Sequence, residues 1–285
     1  MPRISLDDLA RWKREGRRFV CLTAYDAPTG RILEGAGVPL LLVGDSVGNV
    51  VLGHRDTLPV TMEIMLHHAA AVRRGARETF IIGDMPFGSF QVSAEEAVRN
   101  AARFLQGAGM DAVKVEGGAE RAETVRAIVA AGIPTMGHLG LTPQNATQLG
   151  GLRVQATDAA GAERLLEDAR SLERAGAFAI VLECVPEEVA AIVTEGISIP
   201  TIGIGAGRRT DGQVLVIHDL IGISAGFSPR FVRAYSDVEA RIAAAAQAFR
   251  RDVESGAFPG EKEIFSLPPE ALAELRRRIA KGGAS

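Results

Sequence analysis

Cysteine is nearly absent: the 285-residue chain has two, Cys21 and Cys184, each in an apolar run and without metal or redox spacing. A disulfide framework is excluded on that count, and a reducing cytoplasm is the compartment that fits. Histidine is scarce as well, five in all, with no His/Cys spacing suited to zinc. His67 and His68 are adjacent and so face different sides of a helix, as solvated or packed groups. Positive charge is gathered nowhere: 32 Lys and Arg are scattered among 35 Asp and Glu, for a formal charge of −3. Nucleic acid is a poor partner for such a surface, because phosphate neutralisation needs a concentrated basic face. No apolar run nears the roughly 18 residues of a membrane helix. The first eighteen residues carry Arg3, Asp7, Asp8, Arg11, Lys13 and Arg14 and so lack the apolar stretch of a signal peptide. The expectation is a soluble, cytoplasmic chain with neither a membrane nor a nucleic-acid partner.

What the chain does have is apolar bulk, 47% of residues, and 32 glycines, the composition of a globular protein with many tight connections. Short apolar runs ending in Gly, Asp, Glu or His recur at Phe19 to Asp26, Pro39 to Asp45, Phe80 to Asp84 and Ala112 to Glu116. Four more follow at Pro134 to His138, Ala177 to Glu183, Pro200 to Gly205 and Val214 to Asp219. Continuously apolar runs such as LLLVGD and AIVLEC are those of parallel strands buried on both faces. Between them, three- and four-residue apolar spacing predicts helices over Met62 to Arg74, Ala94 to Gln106, Arg121 to Ala131, Ala162 to Arg174, Glu187 to Thr194 and Val238 to Arg251. Ser93 followed by Glu96 spells a capping box.

Eight strands alternating with helices in a chain of this length predict an α/β fold, a (β/α)8 TIM barrel, which takes about 250 residues. Residues 1–260 are read as this single domain with an N-terminal helix, and 261–285 as a C-terminal helical tail that is not a separate domain. One connection, Leu141 to Asp158, is too long for an ordinary strand-to-helix loop and is read as functional.

In such barrels the active site lies at the C-terminal ends of the strands. Here those ends carry Asp45 and Ser46 (second strand), Asp84 (third), Lys114 and Glu116 (fourth), His138 (fifth) and Glu183 (sixth). One acidic strand end can simply cap the next helix. Four carboxylates at one rim repel each other and call for a hard cation. Asp45, Asp84 and Glu116, from adjacent strands, suit one face of an all-oxygen Mg²⁺ site. In VKVE, alternation sends Lys114 and Glu116 to the same side, into the barrel. That pair is either a structural ion pair or a hold on a substrate oxyanion. Glu183, emerging from an apolar wall, is expected to have a raised pKa and to act as a base, with a fourth metal ligand or a cap ahead of Pro186 as its rivals. Cys184 beside it is read as a small apolar residue. His138 either contacts substrate or is a buried histidine satisfied by backbone. The glycines of GIGAG (Gly203, Gly205, Gly207) fail the dinucleotide spacing and leave a phosphate site or a plain turn.

The stretches TAYDAPTGRI, LLVGDSVGNVVLGHRDTLPVT, HHAAAVRRGA, DMPFGS, VKVEGG, GHLGLTPQ, LECVP, IPTIGIGAG and DGQVLVIHDLIGI, in this order between about Leu6 and Gly260, resemble the ketopantoate hydroxymethyltransferase family. The resemblance implies a (β/α)8 barrel assembled as a homo-oligomer, usually a decamer. It implies transfer of a hydroxymethyl group from the cosubstrate 5,10-methylenetetrahydrofolate to 3-methyl-2-oxobutanoate, giving 2-dehydropantoate, through a magnesium-stabilised enolate. This is the first committed step of pantothenate synthesis. The family's metal carboxylates fall on Asp45, Asp84 and Glu116, its ketoacid contacts on Asp45, Ser46, Asp84 and Lys114, and its proton acceptor on Glu183. The folate site is not placed by the resemblance; the long loop from Leu141 is one hypothesis. A rival with the same carboxylates is another metal-dependent enolate enzyme, such as a 2-oxoacid lyase or a phosphoenolpyruvate mutase relative. A non-catalytic barrel is the second rival.

Overall fold

The computed structural model describes residues 3–146, 150–223 and 229–282. Eight parallel strands run in order as β1 (Phe19–Thr23), β2 (Leu40–Val43), β3 (Phe80–Asp84), β4 (Ala112–Glu116), β5 (Thr135–Gly140), β6 (Ala179–Glu183), β7 (Thr201–Ile204) and β8 (Gly212–Leu215). Each pairs with the next and β8 pairs back onto β1, closing the expected barrel. Helices α1 (Leu6–Arg14), α2 (Ala27–Gly35), α3 (Val47–Val50), α4 (Met62–Gly75), α5 (Ala94–Ala108), α6 (Ala122–Ala130), α7 (Ala159–Arg174), α8 (Glu187–Gly196) and α9 (Ile217–Ile221) accompany it.

The first and last strands depart most from the apolar runs that announced them. The first run ends as a strand at Thr23, because the Asp26 carboxylate accepts from the Thr29 amide and caps α2 instead. The last begins earlier, at Gly212, and ends at Leu215; the Ile217 amide donates to Thr23 Oγ1 and the chain turns into α9. At α5, Ser93 accepts from the Glu96 amide. The reciprocal capping box is instead complete at α1, where Ser5 and Asp8 each accept the other's amide.

Strand alternation divides the core in two. Phe19, Cys21, Leu40, Leu42, Phe80, Ile82, Ala112, Met136, Ala179, Val181, Ile202 and Val214 fill the barrel, while Leu41, Val43, Ile81, Val113, Val115 and Ile180 pack outward with the helices. The bottom of the inner layer is closed by α1, whose Leu9 and Trp12 join it. Trp12 lies 5.7 Å from the Phe19 ring, with Arg17 stacked 4.3 Å over its face. Lys13 fixes the helix by donating to the Thr194 carbonyl and to Asp211, which also accepts from the Thr201 amide and hydroxyl. Trp12→Ala is expected to cost about 3–5 kcal/mol, the range for removing a buried aromatic. Chemical denaturation checks this, and a loss under about 1 kcal/mol would show that the plug is dispensable.

By compactness the described chain divides after Ser236. The second unit holds α10 (Val238–Ser255) and α11 (Pro269–Gly282), so it begins before the change in composition at Gly260. Asp237 caps α10 through the Ala240 amide, Gly256 ends it in a left-handed turn, and no residue of α10 is buried. Among the described residues no helix is long and apolar enough to cross a membrane.

Candidate active site

Above the apolar layers the same alternation continues upward with charge. Asp84 follows Phe80 and Ile82, Lys114 and Glu116 follow Ala112, His138 follows Met136, and Glu183 follows Ala179 and Val181. The structure thus brings together, at the C-terminal ends of β3 to β6, the residues expected there, and both valines of VKVE face outward. Asp45, Asp84, Lys114, Glu116 and His138 are all buried. Such burial of charge is sustained only by mutual contact.

Lys114 Nζ is the hub, 2.9 Å from Asp84 Oδ1, 3.5 Å from Glu116 Oε1 and 3.0 Å from His138 Nδ1. His138 Nδ1 is also 3.3 Å from Glu116 Oε1, and its Nε2 is 3.2 Å from Glu183 Oε2. Nδ1 cannot accept from the ammonium and donate to Glu116 at once. A neutral ring either accepts from Lys114 and carries its proton on Nε2 or donates from Nδ1 to Glu116 and leaves Nε2 bare, whereas an imidazolium carries protons on both nitrogens. Two of these three forms turn an Nε2–H toward Glu183. His138 is therefore neither a backbone-satisfied histidine nor an isolated one.

The charges do not balance. Burial, then repulsion from Asp84 and Glu116, pushes the Asp45 carboxyl well above its ordinary range. Burial also raises Asp84 in spite of the Lys114 ammonium. Glu116 is held low, because Lys114 and His138 outweigh its burial. Burial and Lys114 lower His138, but its contacts with Glu116 and Glu183 prevail and raise it to about 9. Asp84 Oδ1, Glu116 Oε1 and His138 Nε2 are buried without an aligned hydrogen bond among the described residues, although Nε2 lies 3.2 Å from Glu183 Oε2. The Lys114 ammonium and the His138 ring face four carboxylates, Asp45, Asp84, Glu116 and Glu183, which leaves room for another cation, and an all-oxygen donor set favours a hard one. Among the described residues no three acidic, His or Cys side chains yet converge on a common point.

Gln144, not singled out in the sequence, joins the cluster. Its side-chain amide donates to Asp45 Oδ2 (3.0 Å) and to the Met85 carbonyl (2.9 Å), and its backbone amide donates to Glu116 Oε2 (3.1 Å). It sits in a single 3₁₀ turn, Pro143–Asn145, at the start of the long connection read as functional; residues 147–149 of that connection lie outside the described residues. The signal was present in GHLGLTPQ, where the first glutamine after His138 follows a helix-starting proline. Tyr25 was missed too: its hydroxyl bonds Ser46 Oγ at 2.8 Å, placing Ser46 beside Asp45 at the rim.

Glu183 is half-buried. Its backbone emerges from the buried Ala179–Leu182 run as expected, yet its side chain keeps 18% exposure, so the carboxylate reaches solvent. Gly140, next to it in the sheet register, has φ +89°, and a Cβ there would stand 2.2 Å from the Glu183 carbonyl. Burial pushes the Cys21 thiol up to about 12 and, with Glu183 nearby, Cys184 up to about 11, so neither is a thiolate near neutral pH. His68 is packed against the Tyr25 carbonyl at 2.7 Å and His67 is exposed. The GIGAG glycines are filled by the chain itself: a Cβ at Gly205 would meet the Phe231 ring at 2.7 Å, and one at Gly207 would meet Glu187 at 2.5 Å.

The family model for ketopantoate hydroxymethyltransferase matches residues 3–261. The 3-methyl-2-oxobutanoate hydroxymethyltransferase of Syntrophomonas wolfei is 50% identical over 275 residues, covering 96% of this chain and 100% of that one. Its counterpart in Thermotoga neapolitana is 55% identical over 255 residues, covering 89% and 94%. Among solved structures, a phosphonopyruvate hydrolase (TM-score 0.60, 15% identity, 99% of both chains) shares the fold. So does 2,3-dimethylmalate lyase, a PEP mutase/isocitrate lyase superfamily member (TM-score 0.58, 17% identity, 97% of this chain and 98% of that one). With a matching family model across nearly the whole barrel and relatives at half identity over nearly their full length, this chain belongs to the ketopantoate hydroxymethyltransferase family.

Proposed function

We propose that this chain is a magnesium-dependent 3-methyl-2-oxobutanoate hydroxymethyltransferase of the cytoplasm, taking its one-carbon unit from 5,10-methylenetetrahydrofolate and releasing 2-dehydropantoate. The observation that carries the reading is the buried Asp45–Asp84–Glu116–Lys114 cluster with Glu183 at its open edge. The names borne by its half-identical relatives support the substrate.

Asp45, Asp84 and Glu116 would hold the ion, exchanging part of their contact with Lys114 for it, while Gln144 keeps donating to Asp45 Oδ2 and Glu116 Oε2 from outside. Bound there, magnesium supplies Lewis acidity to the 2-oxoacid carbonyl. The residues do the rest. Glu183 removes the proton at C3 of the ketoacid, and His138, by its Nε2–H, keeps that carboxylate oriented. The Lys114 ammonium and the Ser46 hydroxyl balance charge that develops on the keto oxygen. Water adds to the folate-borne methylene and both of its C–N bonds break, so that tetrahydrofolate leaves with protons on its nitrogens and the carbon is released at the oxidation level of formaldehyde; the carbanionic carbon attacks that carbonyl, and the resulting alkoxide takes a proton to become the hydroxymethyl group.

The assembly proposed is a homo-oligomer, a decamer by family resemblance. Ile242, Phe249 and Val253 on α10 support association, since they are exposed at near-heptad spacing and a helix with such a stripe is normally covered.

Proton NMR of 3-methyl-2-oxobutanoate in D2O tests the reading. With protein and Mg²⁺ the C3 proton signal is expected to disappear, and 2-dehydropantoate is expected once methylenetetrahydrofolate is added. A metal-loaded, folded sample that gives neither exchange nor product would sink the assignment. Gln144→Leu is expected to weaken the Mg²⁺ requirement curve about 10- to 100-fold, the usual effect of losing an outer-shell partner. An unchanged curve would leave Gln144 as loop structure only.

A further inference from the structure

A cavity of about 420 Å³ opens beside the catalytic cluster, between the upper ends of β4 and β5 and the flank of α7. Ligand pockets begin at about this size. It is outside the barrel yet shares backbone with the site. Gly117 follows Glu116, Thr142 and Asn145 flank Gln144, and Gly140 stands level with Glu183 across the β5–β6 ladder. The Leu141 amide donates to the Glu183 carbonyl at 2.8 Å, and the Gln155 amide to that of Cys184 at 2.8 Å. The cavity wall is thus the far side of the segment that carries the proton acceptor.

Its lining is mixed in a particular way. Leu139 and Leu165 are buried and give apolar walls. Arg121 contributes an Nε that is buried without a hydrogen-bond partner among the described residues. Asp168 is half-buried; Oδ1 accepts from the Ala119 amide at 2.9 Å, and Oδ2 has no hydrogen bond among the described residues. The Asp168 carboxylate lies so close to Gly118 that a Cβ there would approach it to 2.4 Å. Exposed Arg164 stands at the rim.

We propose that this cavity receives the pterin end of the reduced folate, an inference that rests on the transferase reading above. The 2-amino-4-oxo edge of a pterin presents two adjacent N–H donors beside a carbonyl acceptor. A carboxylate takes the two donors side by side, as it does with a guanidinium, and the Arg121 N–H serves the carbonyl. The flat faces of the ring suit the leucine walls. The remainder of the folate leaves past Arg164, whose charge favours the glutamate carboxylates.

Asp168→Asn keeps the acceptor for the Ala119 amide and offers the pterin a donor where it needs an acceptor. The expected result is at least a tenfold rise in KM for methylenetetrahydrofolate and a matching loss of tetrahydrofolate binding by calorimetry. The KM for ketoacid and its folate-independent deuterium exchange remain as in the parent enzyme, which a general structural defect would not allow. Arg164→Met is expected to raise KM more for a polyglutamylated folate than for the monoglutamate. If the parent enzyme turns over and both variants keep parental folate KM and binding, the cavity is not the folate site. If the parent shows neither exchange nor product, the transferase reading itself fails and takes this inference with it.

Discussion

Glu183→Gln is expected to abolish C3 deuterium exchange and product formation together, by about 10²- to 10⁴-fold, the usual contribution of a positioned general base. Glutamine has the shape of glutamate and can still accept from His138 Nε2, which lies 3.2 Å from Glu183 Oε2. The fold should therefore hold, and ketoacid binding with it. A loss confined to kcat would assign Glu183 to the chemical step. His138 is an alternative base beside it, and its charge argues against it: with its pKa raised, against burial, to about 9 by Glu116 and Glu183, the ring carries hydrogen on both nitrogens near neutral pH. Exchange that persists in Glu183→Gln and vanishes in His138→Gln would reverse the assignment.

The barrel was legible because its signal is local. Strands buried on both faces must read as unbroken apolar runs; β3 and β4 match theirs end to end, and β1, β2, β6 and β7 fall inside theirs. The charged strand ends were legible for the same reason, since alternation decides from the sequence alone that Lys114 and Glu116 share a face. Strand ends were less clear, as at Thr23, where the boundary depends on Asp26 capping α2 and on a hydroxyl taking the Ile217 amide from 194 residues away. Gln144 was beyond local reading for that reason also: its partner Asp45 is 99 residues distant, and no periodicity joins a 3₁₀ turn to a strand end. The exposure of Glu183 depends on what lies beside it in space, not on the four apolar residues before it in sequence. His138 had two readings because the groups that decide between them, Lys114, Glu116 and Glu183, come from two different strands.

Lys114→Met separates the structural from the functional reading of the buried pair, and its effect on stability should be large. The ammonium is the only Lys or Arg side chain paired with Asp84 or Glu116 among the described residues, so its removal leaves buried carboxylates facing one another. Breaking a buried pair in this way costs about 3–5 kcal/mol. Measured with a chelator, the variant is expected to lose that much. Measured with millimolar Mg²⁺, it should regain a good part of the loss, since a cation that binds only the folded state stabilises it in proportion to its binding. The parent protein should respond to Mg²⁺ less steeply, because its carboxylates are already partly neutralised. Activity is not expected to return with stability: methionine fills the space of lysine but cannot balance charge on the keto oxygen. Recovery of stability without activity would give Lys114 both roles, a counter-charge in the folded core and a group acting on substrate. If Mg²⁺ leaves the variant as unstable as the chelator does, the carboxylates do not take up the ion and the cluster is a structural network alone.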